Sequence, residues 1–544
     1  MTGPGGDPDD TGGPVEPVPD VEVDRPTRAG GTGTHDMAGG GASDATGGVP
    51  GAPVVGVSTR ALSRVARRRV AARPVAGRTA ALVAVGVVLL GVAAVSALAP
   101  PPSAPSSPQT GGGAVVAPIG AHASSLFCTT GAGTDAGAGA SATVVLTNTS
   151  RTEAVGLESA VSESGGPVQT KVVVPALGSL VVDPAAGLPA GGTASSFSFA
   201  AGGVVGTAVV AGPQGWSTAP CSTQVSSQWD FAGGSTASGL LDLSLYNPTA
   251  ASAVVDVTFL TSSGIVLDPQ AYQGIAVAPG QLVVEGLGAY VQNQPVVATL
   301  VQATSGALVA TELDQMAVPS GTGLALLQGS PGPATTWRFA QTTAVPGGTV
   351  TVDVANPGMS PLVAQVSATL SGATVVPHML AVPARTVQSL AVSSVAGWPL
   401  GSPYALTVTA NAPVVVGRTV VAAAGGASPQ GGIAAGASAA SSAWLVVGPG
   451  APGSPSVPGA AFDSLAVADP GGSAVDVTVT PLGGGAAVAR ARVTAGATTV
   501  FGSAQLAGLR PLVVTSSGPV TVEADDAPTG APGIASSSGF ALPG

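Results

Sequence analysis

The chain has 544 residues, enough for three to five ordinary domains, yet only 8% are charged where a typical soluble domain carries about 25%. Its 80 glycines and 48 prolines accompany 45% hydrophobic residues, which excludes charge-driven disorder and predicts many short strands joined by Gly/Pro turns. The net charge of −11 lies wholly beyond residue 100, where seven Arg and one Lys face nineteen acids, and an acidic body without a basic stripe argues against a nucleic-acid partner.

In chain order, residues 1–59 are rich in Gly, Pro, Asp and Thr with almost no large apolar side chain, as in a disordered cytoplasmic tail. Residues 60–78 hold seven arginines, from Arg60 to Arg78, and read as a topology signal beside anionic headgroups. The uncharged run "TAALVAVGVVLLGVAAVSALA" at 79–99 matches roughly the 30 Å of a bilayer core at about 1.5 Å per residue. The positive-inside rule then places the N-terminus in the cytoplasm and the C-terminal region outside. Val95-Ser96-Ala97 would serve as a cleavage site, but 78 residues before the span are too many for a signal peptide, so an uncleaved anchor is expected. Residues 100–120 form a Pro/Ser/Gly stalk.

The remainder repeats. "WDFA" opens at Trp229, "WRFA" at Trp337, "WLVV" at Trp444, and a degenerate copy opens near Phe127, giving spacings of 102, 108 and 107 residues. Each opening leads into an alternating strand that ends at a turn, at Asn148, Asn247-Pro248, Asn356-Pro357 and Asp469-Pro470. In "LDLSLYNP" the period of two sends Leu241, Leu243 and Leu245 to one face and Asp242 and Ser244 to the other. Proline then ends the pairing. Each copy closes with a hairpin whose turns, Ser305-Gly306, Asn411-Ala412 and Ser517-Gly518, recur every 106 residues.

About seven strands in 90 to 100 residues is the count of an immunoglobulin-like sandwich. A propeller would repeat at about 40 to 50. The expected architecture is all-β: four tandem sandwiches at 121–223, 224–320, 334–425 and 441–528, Gly/Ser/Pro-rich linkers between the later copies, and a flexible tail at 529–544. Trp229, Trp337 and Trp444 are expected to cover the open end of each core, worth on the order of 3 kcal/mol or more. The alternative is an exposed ring that stacks on sugar. Trp216 and Trp398 fall outside the repeat phase.

The run Trp229-Asp230-Phe231-Ala232-Gly233-Gly234, with the "LYNP" and "VVDVTF" that follow, resembles the Trp-x-Phe-Ala-Glu-Gly repeats of actinobacterial surface proteins. With the Arg-flanked anchor and two cysteines, residues 60 to 528 look like an actinobacterial family of membrane-anchored extracytoplasmic proteins of unknown function. The chain departs from that repeat where Glu is usual, with Gly233 in copy two and Gln341 in copy three, and the resemblance supplies no catalytic residue.

Cys128 opens copy one and Cys221 follows its last strand. Outside the membrane they are expected to pair, closing a loop of about 94 residues worth roughly 4 to 5 kcal/mol in the chain-entropy model; a free-thiol pair or a metal pair are the alternatives. Catalytic groups are sparse: His122, His378 and Lys171 stand alone, with no H-E-x-x-H or G-x-S-x-G. Glu312 and Asp314 share a strand face and Asp525-Asp526 end the last copy; such pairs serve calcium sites and glycosidases, but without an Asp/Asn/Gly loop they read as solvated edges. The expectation is a non-enzymatic scaffold of the cell envelope, needing no cofactor or metal, that binds an envelope protein or glycan. A dedicated carbohydrate-binding module and an envelope enzyme are the alternatives.

Overall fold

The computed structural model describes residues 124–131, 141–237, 239–318, 321–343, 348–370, 373–399, 401–422, 430–448, 460–506, 511–528 and 534–542. The expected tail, Arg-rich segment, membrane span, stalk and His122 lie outside them. Among the described residues the chain is all-β: the longest helix is the single turn Ser503–Leu506, and none is long and apolar enough to cross a membrane.

The strands fall into four modules, each a pair of sheets. Module 1 holds β1 (Ser124–Thr129), β2 (Ser141–Asn148), β3 (Ala154–Ser162), β4 (Val168–Val174), β5 (Ser179–Val182), β6 (Thr193–Phe199), β7 (Val204–Gly212) and β8 (Gly215–Pro220), in sheets ordered β1-β6-β3-β4 and β5-β2-β7-β8. Module 2 holds β9 (Gln228–Asp230), β10 (Gly239–Tyr246), β11 (Ala253–Thr261), β12 (Val266–Leu267), β13 (Ile275–Val277), β14 (Leu282–Gly286), β15 (Val297–Ser305), β16 (Val309–Val318) and β17 (Gly321–Gln328). Its sheets are β9-β15-β11, with β12 and β13 on β11, and β14-β10-β16-β17. Module 3 holds β18 (Ala334–Thr342), β19 (Thr349–Asn356), β20 (Leu362–Leu370), β21 (Ala373–Thr374), β22 (His378–Val382), β23 (Thr386–Ala391), β24 (Tyr404–Ala422) and β25 (Gln430–Ala435). Module 4 holds β26 (Ser441–Val446), β27 (Ala460–Ala468), β28 (Val475–Pro481), β29 (Ala489–Val493), β30 (Thr498–Gly502), β31 (Leu512–Pro528), β32 (Ala535–Ser538) and β33 (Phe540–Ala541). In the last two modules one long strand, β24 or β31, serves both sheets: its first half pairs with β18 and β20, or β26 and β28, and its second half with β19 and β25, or β27 and β32.

Between the sheets of module 2, Leu241, Leu243 and Leu245 of β10 meet Val255, Val257 and Phe259 of β11, all at most 1% exposed. The tryptophan of the repeat fills the same place in three modules: Trp229, Trp337 and Trp444 are buried, and their Nε1 groups donate to the Leu308, Val414 and Val520 carbonyls at 2.8, 2.9 and 2.9 Å. That pays the indole's one polar demand while its rings stay in the core.

Two segments differ from the expected linkers and tail. Residues 321–328 and 430–435 are not joints but strands β17 and β25, each paired with the last long strand of its module. Residues 535–541 of the expected tail form β32, on β31, and β33, on β26. Each module therefore has an added strand, and these strands (β8, β17, β25, β32) pack in succession, β32 returning to β8.

Asp242 and Ser244, on the face opposite the leucines, are buried too. The outer face of the second sheet in each module packs on the first sheet of the module before it. Leu313, Leu324 and Leu326 join the module 1 core. Ala355, Val387 and Val415 meet Ala298 and Leu300 of module 2. Ala466 and Ala468 meet Ala340 and Ala405 of module 3. Val205, Val209 and Trp216 of module 1 meet Leu445, Val447 and Phe540 of module 4, which closes the ring. Head-to-tail contacts that return to their start need no further copy to complete them.

The strand-ending Asn is a fixed turn. Asn247 Nδ2 donates to the Ala251 and Val277 carbonyls at 2.8 and 2.9 Å, and its Oδ1 accepts the Thr249 N–H at 3.0 Å. Asn148 and Asn356 repeat the pattern. In module 4 the residue is Asp469: its Oδ1 accepts the Gly471 N–H at 2.7 Å, but Oδ2 is buried without a partner among the described residues, where Asn would offer N–H groups. Restoring those donors with Asp469→Asn is expected to raise stability by about 1–2 kcal/mol, and Asn247→Asp to lower it comparably, read as shifts in the denaturant midpoint at unchanged slope.

Candidate functional site

Cys128, on β1, and Cys221, just after β8, are both buried and form a disulfide with Cα atoms 4.5 Å apart. It ties the first strand of module 1 to the strand nearest the ring axis. Gly206 lies against it, and a Cβ there would come within 2.9 Å of the Cys221 sulfur. Trp216 packs between modules 1 and 4, while Trp398 belongs to the module 3 core and stacks edge-on with Tyr404. His378 begins β22, half-buried, and Lys171 is exposed on β4.

The acid pairs are not solvated edges. Glu312 and Asp314 on β16 are 1% and 0% exposed, Asp526 is 2% exposed, and the Asp525 side chain 18%. Asp314 lines the junction of modules 2 and 3 with Asp353, and Asp525 lies with Glu523 beside Arg418 at the junction of modules 3 and 4. Glu312 shares the inner face of module 2 with Leu243.

At the junction of modules 3 and 4 the charge is met. Arg418 of β24 is 1% exposed, lies over the Phe339 ring at 5.2 Å and donates through Nη2 to Glu523 Oε1 at 2.5 Å. Its Nη1 donates to the Gln341 carbonyl, and Asp525 Oδ1 lies 4.0 Å from Nη2. Gln341 closes the network: its N–H donates to Glu523 Oε2 at 3.1 Å, and its Oε1 accepts the Ser464 hydroxyl at 3.1 Å. Burial lifts the Asp525 carboxyl to about 7, Glu523 adding to the rise while Arg418 opposes it.

The junction of modules 2 and 3 has a different chemistry. Asp314 and Asp353 line a cavity of about 190 Å³ with Ser235, Thr351, Ser389 and Thr419. Asp353 accepts the Ser389 hydroxyl at 2.5 Å and the Thr419 hydroxyl at 3.3 Å. Burial raises Asp314 to about 8, with the Ser235 N–H opposing and the Asp242 charge adding. Burial raises Glu312 to about 8 as well, with the Thr299 hydroxyl opposing and the Asp314 charge adding, and lifts Asp353 to about 6 against its two hydroxyl partners. On the ring axis a cavity of about 120 Å³ lies among β8, β17 and β32, walled by Trp229, Trp337 and Leu326 with Ser222, Ser330 and Ser537 supplying hydroxyls. No charged side chain lines it among the described residues. Nor do three of His, Cys, Asp and Glu gather into a metal-binding cluster among them.

Sequence reasoning found the acid pairs and missed their setting. The missed residues are Arg418, Glu523 and Asp353. The available signal was that Arg418 and Glu523 sit within apolar strand runs in a chain with only eight basic residues beyond residue 100.

The sheets and their junctions define an all-β protein of repeated two-sheet modules with buried ionisable groups at the junctions of modules 2, 3 and 4. The chain belongs to the family of unknown function DUF5719, which it matches over residues 183–504. No curated protein matches it. Among solved structures it is similar to the crystal structure of a tetra-tandem repeat in the extending region of a large adhesion protein, at 13% identity, covering 74% of this chain and 95% of that one, with a TM-score of 0.11. At that score the likeness carries no argument.

Two outcomes follow from the junctions. Arg418→Met leaves Glu523 buried without its counter-charge and is expected to cost about 3–5 kcal/mol, measured by denaturant unfolding, with Arg418→Met/Glu523→Leu recovering most of the loss. For Asp314 and Asp353 at the 2–3 junction, and for Glu312 inside module 2, the sign is set by carboxyls whose folded values lie above their unfolded ones. Their contribution is full below about pH 4 and is lost as pH rises through about 6 for Asp353 and about 8 for Glu312 and Asp314. The melting temperature of the chelator-treated protein should therefore fall from pH 5 to pH 9, and Glu312→Gln/Asp314→Asn should flatten that profile.

Proposed function

We propose that the protein is a membrane-anchored, non-enzymatic scaffold of the cell envelope: a signal anchor at 79–99, a stalk at 100–120, and four immunoglobulin-like sandwiches presented outside the membrane to an envelope protein or glycan. The carrying observation is the use made of the ionisable side chains. Arg418, the one buried arginine among the described residues, and the Gln341 N–H of module 3 both reach Glu523 of module 4, so this buried ionic chemistry goes into holding modules together. A closed body on a stalk presents fixed surfaces, as a scaffold requires. Topology rests on the arginines before the span and the uncharged stalk after it. The resemblance of "WDFAGG" to the repeats of actinobacterial surface proteins supports the same setting.

Crosslinking in living cells, with the tagged full chain against a control of residues 1 to 113, tests this reading. Envelope proteins recovered by the full chain alone are the expected result. Recovery of glycan alone would favour a carbohydrate-binding module, and recovery no greater than the control would reduce the four modules to a spacer and remove the scaffold reading.

A further inference from the structure

The four junctions of the ring are built to one plan, which makes their differences informative. The carbonyls that accept the tryptophan Nε1, on Leu308, Val414 and Val520, are 106 residues apart, as are the hairpin turns. On that spacing the position of Arg418 in module 3 is held in module 2 by Glu312. Module 3 thus presents a cation to the acids of module 4, whereas module 2 has an acid at that position and places Asp314 at a cavity that Asp353 of module 3 also lines.

The cavity at this second junction shows the consequence. Asp314 of module 2 is 0% exposed; its Oδ2 accepts the Ser235 N–H at 3.1 Å, and its Oδ1 has no partner among the described residues. Asp353 of module 3, 2% exposed, lines the same cavity. Among the described residues no lysine, arginine or histidine lines it. The wall also includes Gly233, whose φ of +107° favours glycine and where a Cβ would come within 3.2 Å of Asp353 Oδ2. A side chain there would occupy space beside the carboxylate, and the 3–4 junction has Gln341 at the corresponding place.

We infer that the cavity between modules 2 and 3 binds a calcium ion, held by the Asp314 and Asp353 carboxylates, with the surrounding hydroxyls and water completing an oxygen shell. Calcium accepts six to eight oxygen ligands in flexible geometry, which two carboxylates from separate modules can supply. Magnesium demands a tighter octahedron, and among the described residues the wall offers no thiol or imidazole, which zinc or copper would select. The ion would join module 2 to module 3 as Arg418 joins module 3 to module 4.

The test uses the full chain in detergent, stripped with chelator and titrated with calcium chloride at pH 8 by calorimetry and thermal unfolding. One saturable equivalent and a melting temperature raised by several degrees are expected. Asp314→Asn, which keeps an acceptor for the Ser235 N–H, and Asp353→Asn should each weaken binding at least about tenfold, since each removes a charged ligand. Asp476→Asn, an exposed control, should change neither readout. Absence of saturable calcium binding in the wild-type chain overturns the site. So does binding that survives in Asp314→Asn/Asp353→Asn, or magnesium binding as tight as calcium. If Asp353→Asn does not fold, Asp314→Asn and the wild-type titration decide.

Discussion

The structure depends on covering apolar sheet faces with other apolar sheet faces. A chain with 8% charged residues cannot clothe four separate modules in polar surface. A two-sheet module has two outer faces, and burying apolar area is favourable at roughly 25 cal/mol per Å². Each module here gives one outer face to the module before it and the other to the module after, so no module is left at an end. Closure does for the modules what a barrel does for strands: it removes the unpaired boundary.

Close approach imposes a second demand, met by small residues. Ala340, Ala405, Ala466 and Ala468 make the 3–4 contact, where larger side chains would hold the sheets apart. Gly417 backs onto the Ala232 carbonyl and Gly432 onto the Ile534 carbonyl, each so near that no Cβ would fit. Near the axis, a Cβ at Gly323 of β17 would come within 2.9 Å of the Gly431 carbonyl of β25. The glycine-rich runs that look like flexible joints are thus the places where modules touch most intimately.

Much of the local structure was legible in the sequence. Alternation marked β10, β19 and their equivalents, and the spacing of Trp229, Trp337 and Trp444 marked the module. Period two tells which side of a strand a residue faces, but not what covers that side. The pairs Glu312 with Asp314 and Asp525 with Asp526 therefore read as solvated edges, although Glu312, Asp314 and Asp526 are buried. "GTGLALLQ" was lost for a related reason, since a strand that packs among other backbones is selected for small residues and resembles a loop in composition. Arg418 and Glu523 meet across 105 positions, and no local pattern records which module follows which in space. The bulk figure of 8% charge did contain the message that the outer faces had to be covered, though not by what.

Closure also sets an order of events. Module 1 is made first, and its face formed by Val205, Val209 and Trp216 is capped only when Leu445, Val447 and Phe540 arrive, more than 200 residues later. Throughout that interval the first module stands with an apolar sheet open, the state in which repeat proteins misassemble with their own later copies or with other chains. The one disulfide lies in this module and joins its first strand to the axial region. Modules 2 to 4 can each fold onto a neighbour already made; module 1 has none, and the covalent link holds its shape while it waits.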